Sequence, residues 1–235
     1  MVRASTISRK PQRILTCMKY IQKQKEPSSL TAWNQKQSKK ASISNWSSFT
    51  KSVKNDVYQS LLEEQGYICC YCGISISRKN CHIEHYRPKS KYQDLTFEYT
   101  NLIASCQGED EIKPTRPVHC GHKKTNWFDE EFMLSPLKPD CASYFRYSGA
   151  GDILPANDPK KETAAETTIE HLALNINKLR KMRRIAVDAV LEAIEGLSSE
   201  EIEELAKGYQ KVDSQGKNTP FVSAIAYFLD QFYLA

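Results

Sequence analysis

The feature that most limits how this chain can fold is a group of cysteines in its middle third. Four of its eight cysteines lie between positions 69 and 81, close to several histidines. An even number of cysteines suits a disulfide framework in a secreted protein, but the basic first seventeen residues have no long apolar core and do not resemble a secretory signal. In a reducing cytoplasm, where we expect this protein to work, such a group indicates metal binding.

Two of these cysteines have the spacing of a metal knuckle. Cys69 and Cys72 form a C-x2-C pair, in which a tight turn lets two thiolates share one tetrahedral ion. Cys106 and Cys120 are the candidates for the second pair, although thirteen residues separate them. The sequence therefore predicts a structural Zn²⁺ on these four cysteines; His119 in place of Cys120, or a second pair without zinc, stay open. Such an ion contributes roughly 10–16 kcal/mol of apparent binding energy.

A segment rich in ionisable groups lies between the two cysteine pairs. Residues 82–89 read HIEHYRPK, which places two histidines, a glutamate and two cations within eight positions. Pro88 ends any strand just after His85 and leaves that imidazole at a strand edge. His82 and Glu84 would share one face of an extended strand. The simpler interpretation is a pair of surface histidines on a metal-stabilised hairpin.

The order of these motifs resembles the HNH endonuclease superfamily over about residues 66–128. The residues that carry this resemblance are Cys69 and Cys72, then Glu84–His85 with Pro88, then Asn101–Leu102, and finally Cys120 with Lys124 four residues on. The resemblance implies an α+β fold, in which a small ββα-metal module with a Cys-bound zinc is embedded in a mainly α-helical chain. The chain departs from the common pattern in having Glu84 where many members have aspartate, and Gly121 where asparagine or histidine is common.

The resemblance also implies roles for individual residues. His85 would be the general base, since an imidazole with an ordinary pKa near 6.5 is largely neutral at physiological pH. Glu84 and His122 would hold a catalytic divalent ion, Mg²⁺ or Mn²⁺, and Asn101 would fix the orientation of the imidazole. Whether His122 or Asn126 faces the metal stays open. The basic residues expected to contact phosphates are Arg87, Lys89 and Lys124.

A narrower likeness, to the HNH nuclease subunit of Septu-type and retron-associated anti-phage systems, spans most of residues 18–185. It rests on Met18–Ile21, Glu26–Leu30, His82–Ser90, Pro136–Leu137 and Leu172–Asn175 with Leu179 and Arg180. This likeness implies a partner ATPase of the ABC/SMC-like kind. It also implies that the chain acts in bacterial antiviral defence.

Charge and periodicity divide the chain into three parts. Residues 1–60 hold twelve lysines and arginines against two acidic residues, although the net charge of the whole chain is only +5. Such a basic arm suits a polyanionic partner, of which DNA is favoured, or is simply solvated. We expect a loosely structured arm over 1–47, whose first seventeen residues resemble an extension before Met18, a nuclease module with a leading helix over 48–147, and a helical region over 148–235.

Helix signals flank the predicted module. Gly66 is expected to end the helix that begins after Ser48, and Ser198 with Glu201 matches a capping box. No apolar run approaches the roughly 18 residues that span a bilayer, so a soluble protein without membrane contact is expected. The competing function is a zinc-stabilised module that binds nucleic acid or protein without catalysis, which would leave Glu84, His85 and Asn101 without a purpose.

Overall fold

Seven helices and two small antiparallel sheets make up the part of the chain that the computed structural model describes, residues 18–39, 46–109 and 118–233. The helices are α1 (Ser28–Gln37), α2 (Lys51–Gln65), α3 (Cys120–Lys124), α4 (Pro159–His171), α5 (Asn177–Ala193), α6 (Ser199–Tyr209) and α7 (Val222–Tyr233). The strands are β1 (Cys81–His85), β2 (Leu102–Cys106), β3 (Phe145–Tyr147) and β4 (Ile153–Pro155). The mixture of helices with small sheets agrees with the predicted α+β class.

Strands β1 and β2 pair with each other and carry three residues of the predicted site, Glu84, His85 and Cys106. They run antiparallel, with Glu84 opposite Ile103 and His85 opposite Leu102. All five residues of β2 are buried, and in β1 only the second residue is partly exposed. Strands β3 and β4 form a separate antiparallel pair.

The helix signals of the sequence are largely confirmed. Helix α2 ends at Gly66, whose φ of 59° is the left-handed conformation that glycine adopts without strain. Its N-cap is Thr50, which accepts a hydrogen bond from Val53 N, because Ser48 belongs to a preceding 3-10 turn. Helix α6 begins with the predicted capping box of Ser198 and Glu201.

Part of the predicted N-terminal arm is ordered into the core. Residues 28–37 form α1, and its Leu30 and Trp33 are buried one helical turn apart. The Trp33 ring packs against Phe49 and Phe97 at centroid distances of 5.1 and 4.5 Å. Residues 18–39 are therefore not the loose segment that their polar composition suggested, because a few apolar side chains suffice to hold them. Residues 1–17 and 40–45 lie outside the described residues, and the three-part division stays a prediction.

Helix α5 buries an arginine among its apolar residues. Its buried residues are Leu179, Arg183, Val187 and Val190, whereas Met182 is exposed. The Arg183 guanidinium donates hydrogen bonds to the carbonyl oxygens of Gly151 and Leu174. This arginine is therefore a structural connector and does not belong to a basic surface patch.

The segment before α7 is tied by backbone hydrogen bonds to the turn that carries the first cysteine pair. Asn218 N donates to Gly66 O at 2.8 Å, and Phe221 N donates to Gly73 O at 2.9 Å. The two ends of the knuckle are thus fixed from the far end of the chain. No helix in the described ranges has the length and apolar character needed to cross a membrane.

Candidate active site

The structure brings the four predicted cysteines together. Cys69 and Cys72 lie in the turn after α2, Cys106 ends β2 and Cys120 begins α3, and all four are buried. Their sulfur atoms all lie within 4.8 Å of one another. This cluster could hold a metal ion such as zinc, because four thiolates at such spacing are the donor set of a closed structural site.

The buried thiols of the cluster differ in how readily they ionise. Burial raises the pKa of the Cys120 thiol well above its usual range, and the neighbouring sulfurs raise it further. Burial acts in the same direction on Cys69 and Cys72, but hydrogen bonds from Cys106 and Cys120 outweigh it and hold the pKa of both thiols below the usual value. A cation that bonds to sulfur favours the thiolate form of all four, since it compensates their charge. The donor chemistry of the cluster therefore fits a bound Zn²⁺.

His119 lies beside the cluster and is fully buried. Its Nδ1 is 3.1 Å from Cys120 Sγ and 3.8 Å from Cys106 Sγ. The Cys120 sulfur itself stands within the cluster, so the geometry favours the four-cysteine set, with the His119 imidazole next to it.

A cleft of about 270 Å³ opens beside this cluster, between β1 and α3. Its lining includes His82, Glu84, His85, Lys89, His122 and Asn126. Three of the four residues predicted to act in catalysis, Glu84, His85 and His122, thus share one cavity. Asn126, the alternative to His122 for facing the metal, lines the same cavity just after the end of α3.

Glu84 is held in this cleft by a buried lysine. Its Oε1 lies 2.9 Å from Lys124 Nζ, and Lys124 is only 1% exposed. Burial alone would raise the pKa of Glu84, but a hydrogen bond from His82 and the charge of Lys124 outweigh it and hold that pKa below its usual value. Lys124 Nζ also donates to His85 O at 3.0 Å, so one ammonium group fixes two neighbouring residues of β1.

The His85 imidazole is buried and oriented by a carbonyl. Its Nε2 lies 3.0 Å from Thr96 O, and its ring packs edge-on against Trp46 at 4.6 Å. A carbonyl oxygen can only accept a hydrogen bond, so Nε2 carries the proton and Nδ1 keeps the lone pair. Burial lowers the pKa of His85 to about 4, which leaves the ring neutral at physiological pH.

Asn101 supports the same region without touching the imidazole ring. Its Oδ1 accepts from Arg87 N at 2.8 Å, and its Nδ2 donates to Arg87 O and Leu95 O. The residue therefore joins the segment after β1 to the loop whose Thr96 carbonyl orients His85. Any effect of Asn101 on the imidazole passes through this loop.

His122 stands on the exposed side of the cleft. Its Nε2 is 2.8 Å from Gln107 Oε1, a contact in which the imidazole donates and Nδ1 is left free to accept. Its ring centroid lies 4.0 Å from that of His82. Burial lowers the pKa of His122, and the charge of His82 lowers it further.

Sequence comparisons with known proteins place this chain in a family. The chain is 31% identical over 146 residues to "Retron Vc95 putative HNH endonuclease" of Vibrio cholerae serotype O1 biovar El Tor, an alignment that covers 60% of this chain and 68% of that protein. The chain belongs to the HNH endonuclease family. It is also 28% identical over 178 residues to "Retron Ec83 putative HNH endonuclease" of Escherichia coli, which covers 59% of this chain and 69% of that protein. No protein-family profile matches the chain.

The basic residues of this HNH family member do not all face solvent. Lys124 was expected to contact phosphate, but its buried ammonium is directed at Glu84, so this expectation is corrected. Lys89 and Lys123 are exposed, and Lys89 lines the cleft. Arg87 is partly exposed and forms an ion pair with Glu130 at 3.2 Å.

Several groups that shape the cleft were not identified from the sequence. The Thr96 carbonyl is a backbone atom in a loop, and no sequence signal marks it. Gln107 falls at the start of a polar stretch, residues 107–117, that carries none of the motifs described from the sequence. The fixed spacing between Cys120 and Lys124 was a usable signal, but it could not show that the lysine turns inward.

The thiolate cluster predicts opposite outcomes for two buried cysteines. We expect Cys106→Ser to lose bound zinc and the cooperative unfolding transition, because roughly 10–16 kcal/mol of metal binding exceeds the net stability of most domains. Cys141→Ser is the matched control, since Cys141 is also buried but its Sγ donates to Met18 O, outside the cluster. Zinc per chain by elemental analysis and thermal unfolding would check both, and equal zinc in the two variants would contradict the site.

The Lys124–Glu84 pair predicts a large effect on stability. Lys124→Met should lower the free energy of unfolding by about 3–5 kcal/mol, because it leaves the Glu84 carboxylate buried without its cation. The neighbouring Lys123 is exposed, so Lys123→Met should change stability by less than about 0.5 kcal/mol. Urea unfolding without added divalent ions measures both, and a small loss for Lys124→Met would show that the pair is weak.

Proposed function

We propose that this chain is a metal-dependent endonuclease that hydrolyses phosphodiester bonds in DNA, and that β1, β2 and α3 form a ββα-metal module. The observation that carries the proposal is that Glu84, His85 and His122 line one cleft next to a cysteine cluster able to hold zinc. A binding module would have no need to bring a carboxylate and an oriented imidazole together. Membership of the HNH endonuclease family supports the same conclusion.

In this proposal His85 is the general base. Its Nδ1 lone pair accepts a proton from the water that attacks the phosphorus atom, and the Thr96 carbonyl keeps the ring in the required tautomer. Because its pKa is about 4, the base is unprotonated in nearly every molecule at neutral pH. Packing against Trp46 holds the His85 ring in one orientation, so the ring does not have to rotate before it accepts the proton.

Glu84 and His122 are the residues that would hold the catalytic cation, Mg²⁺ or Mn²⁺. A bound divalent ion would supply positive charge to stabilise the 3′ oxygen that leaves. Glu84 fits this role because it stays ionised although it is buried, and His122 fits because its contact with Gln107 leaves Nδ1 free. Asn126, just after the end of α3, lines the same cleft and is the alternative to His122.

The proposed contacts to the nucleic-acid backbone come from exposed cations at the cleft. Lys89 lines it, Lys123 lies next to His122, and Arg87 is partly exposed nearby in sequence. Such residues position a phosphate chain without reading its sequence. DNA is the proposed substrate, and an RNA of equal length is the comparison that tests it.

The experiment that tests catalysis is the removal of the proposed base. His85→Ala should lower the rate of plasmid nicking in Mg²⁺ or Mn²⁺ by roughly 10²–10⁴, with zinc content and circular dichroism unchanged. His171→Ala is the matched control, because His171 is exposed and stacks on Trp127 without being part of the cleft lining. Undiminished cutting by His85→Ala would remove this residue from its role. If the unaltered chain, alone or with its partner, slows the migration of DNA in a gel but does not cleave the DNA, that result would favour the binding module.

We also propose an ABC/SMC-like ATPase partner in a cytoplasmic anti-phage system, on the strength of the resemblance described from the sequence. The retron context of the two relatives is consistent with a defence role. If the partner exists, an ATPase encoded beside this chain should co-purify with it and change its nuclease rate when ATP is present. Size-exclusion chromatography of the co-expressed pair checks this, and separate elution of the two proteins would contradict it.

A further inference from the structure

Resting on the proposed function, we infer that His82 is a third ligand of the divalent cation, so that the site offers two imidazoles and one carboxylate and prefers Mn²⁺ to Mg²⁺. His82 and Glu84 stand two positions apart on β1 and so share one face of the strand. His82 Nε2 lies 3.4 Å from Glu84 Oε2. On its other side the His82 ring lies 4.0 Å from the ring of His122.

Gly121 leaves room where these donor atoms meet. A Cβ at this position would lie 2.7 Å from Glu84 Oε2 and 2.7 Å from His82 Nε2, closer than real Cβ contacts allow. The two atoms that a side chain would strike are a carboxylate oxygen and an imidazole nitrogen, both good metal donors. The first turn of α3 therefore approaches this pair without covering it, and His122 follows as the next residue.

The contact with Glu84 accounts for only one of the two ring nitrogens of His82. Its Nδ1 is buried and has no hydrogen-bond partner among the residues that the structure describes. Buried polar atoms that serve only the fold are almost always paired, since an unpaired one costs free energy. An imidazole with one nitrogen towards a carboxylate and the other unpaired is better explained by a ligand in the cleft.

The donor atoms of His82, Glu84 and His122 lie farther apart than the sulfur atoms of the four cysteines. In the described ranges, the four cysteines form the group whose donor atoms all lie within 4.8 Å, and the set of His82, Glu84 and His122 does not reach that spacing. Binding would therefore require the His122 imidazole to turn towards Glu84, since His82 Nε2 already lies 3.4 Å from Glu84 Oε2. His122 is exposed and free to do so, whereas Glu84 is held in place by Lys124.

The donor set decides which ion the site prefers. Mg²⁺ favours oxygen ligands and water, whereas imidazole suits first-row transition metals. Two imidazoles beside a single carboxylate thus shift the preference towards Mn²⁺, Co²⁺ or Ni²⁺. With Glu84 and His122 alone, the site would bind Mg²⁺ on nearly equal terms.

Metal binding tests this directly, without any nuclease assay. The full chain, with its zinc retained, is titrated with Mn²⁺ and followed by the electron paramagnetic resonance signal of the free ion, and Mg²⁺ is measured by competition. His82→Gln should weaken Mn²⁺ binding at least about tenfold and leave Mg²⁺ binding nearly unchanged. Glu84→Gln should weaken both ions, and the control His171→Gln should weaken neither.

The outcomes separate the two proposals. If Glu84→Gln weakens Mn²⁺ binding and His82→Gln does not, His82 is no ligand but the proposed cation site stands. If neither variant weakens it, no cation binds at the cleft and the proposed function fails as well. Equal weakening of Mg²⁺ and Mn²⁺ by His82→Gln would overturn the selectivity.

A second readout needs no variant to fold. Electron spin echo modulation of Mn²⁺ bound to the unaltered chain, labelled with ¹⁵N-histidine, counts the coordinated imidazoles. We expect two, and a count of one or none would overturn the inference.

Discussion

The convergence of four buried sulfur atoms determines the layout of the catalytic region. The cysteines come from a turn, a strand end and a helix start, which have no other reason to meet at one point. Cys120 even adopts a φ of 58°, a conformation that is costly for any residue with a side chain. An ion bound to these sulfur atoms would hold such a backbone and would fix α3 against β1, with the cleft between them.

The interior of the cleft shows how a carboxylate is kept charged before any ion arrives. Lys124 lies beneath Glu84 and balances it, since an isolated carboxylate in this environment would take up a proton. The same ammonium binds the carbonyl of His85, which couples the position of the acid to that of the proposed base. The buried Lys124 is therefore as informative about how the site is arranged as an exposed lysine would be about its contacts with phosphate.

The sequence predicted the identity of the key side chains better than their contacts. The four cysteines were proposed as a set because spacing along the chain limits which residues can share an ion, whereas Glu84, His85 and His122 were proposed from the resemblance to the HNH superfamily. The inward direction of the Lys124 side chain could not be predicted, because a charged side chain is expected to face solvent. Its burial depends on Glu84, a partner 40 positions away on β1. The order in residues 18–39 was missed because Leu30 and Trp33 find their partners far along the chain.

Helix α5 shows the same limit for a buried arginine. Arg183 lies on the buried side of this helix and donates hydrogen bonds to the carbonyl oxygens of Gly151 and Leu174. A guanidinium that has two fixed hydrogen-bond acceptors can occupy an interior position as a leucine does. A hydrophobic pattern in the sequence does not predict such a buried arginine. Hydrogen-bond acceptors that belong to the backbone leave no trace in a sequence.

The backbone bonds that join the cysteine turn to the segment before α7 have a consequence for how the molecule is made. Gln65 O accepts from Asn218 Nδ2 across 153 positions of sequence. During synthesis the turn with Cys69 and Cys72 leaves the ribosome long before the residues that complete its hydrogen bonds. The cysteine turn therefore takes its final hydrogen-bonded form only after Asn218 has been made, long after the residues that line the cleft.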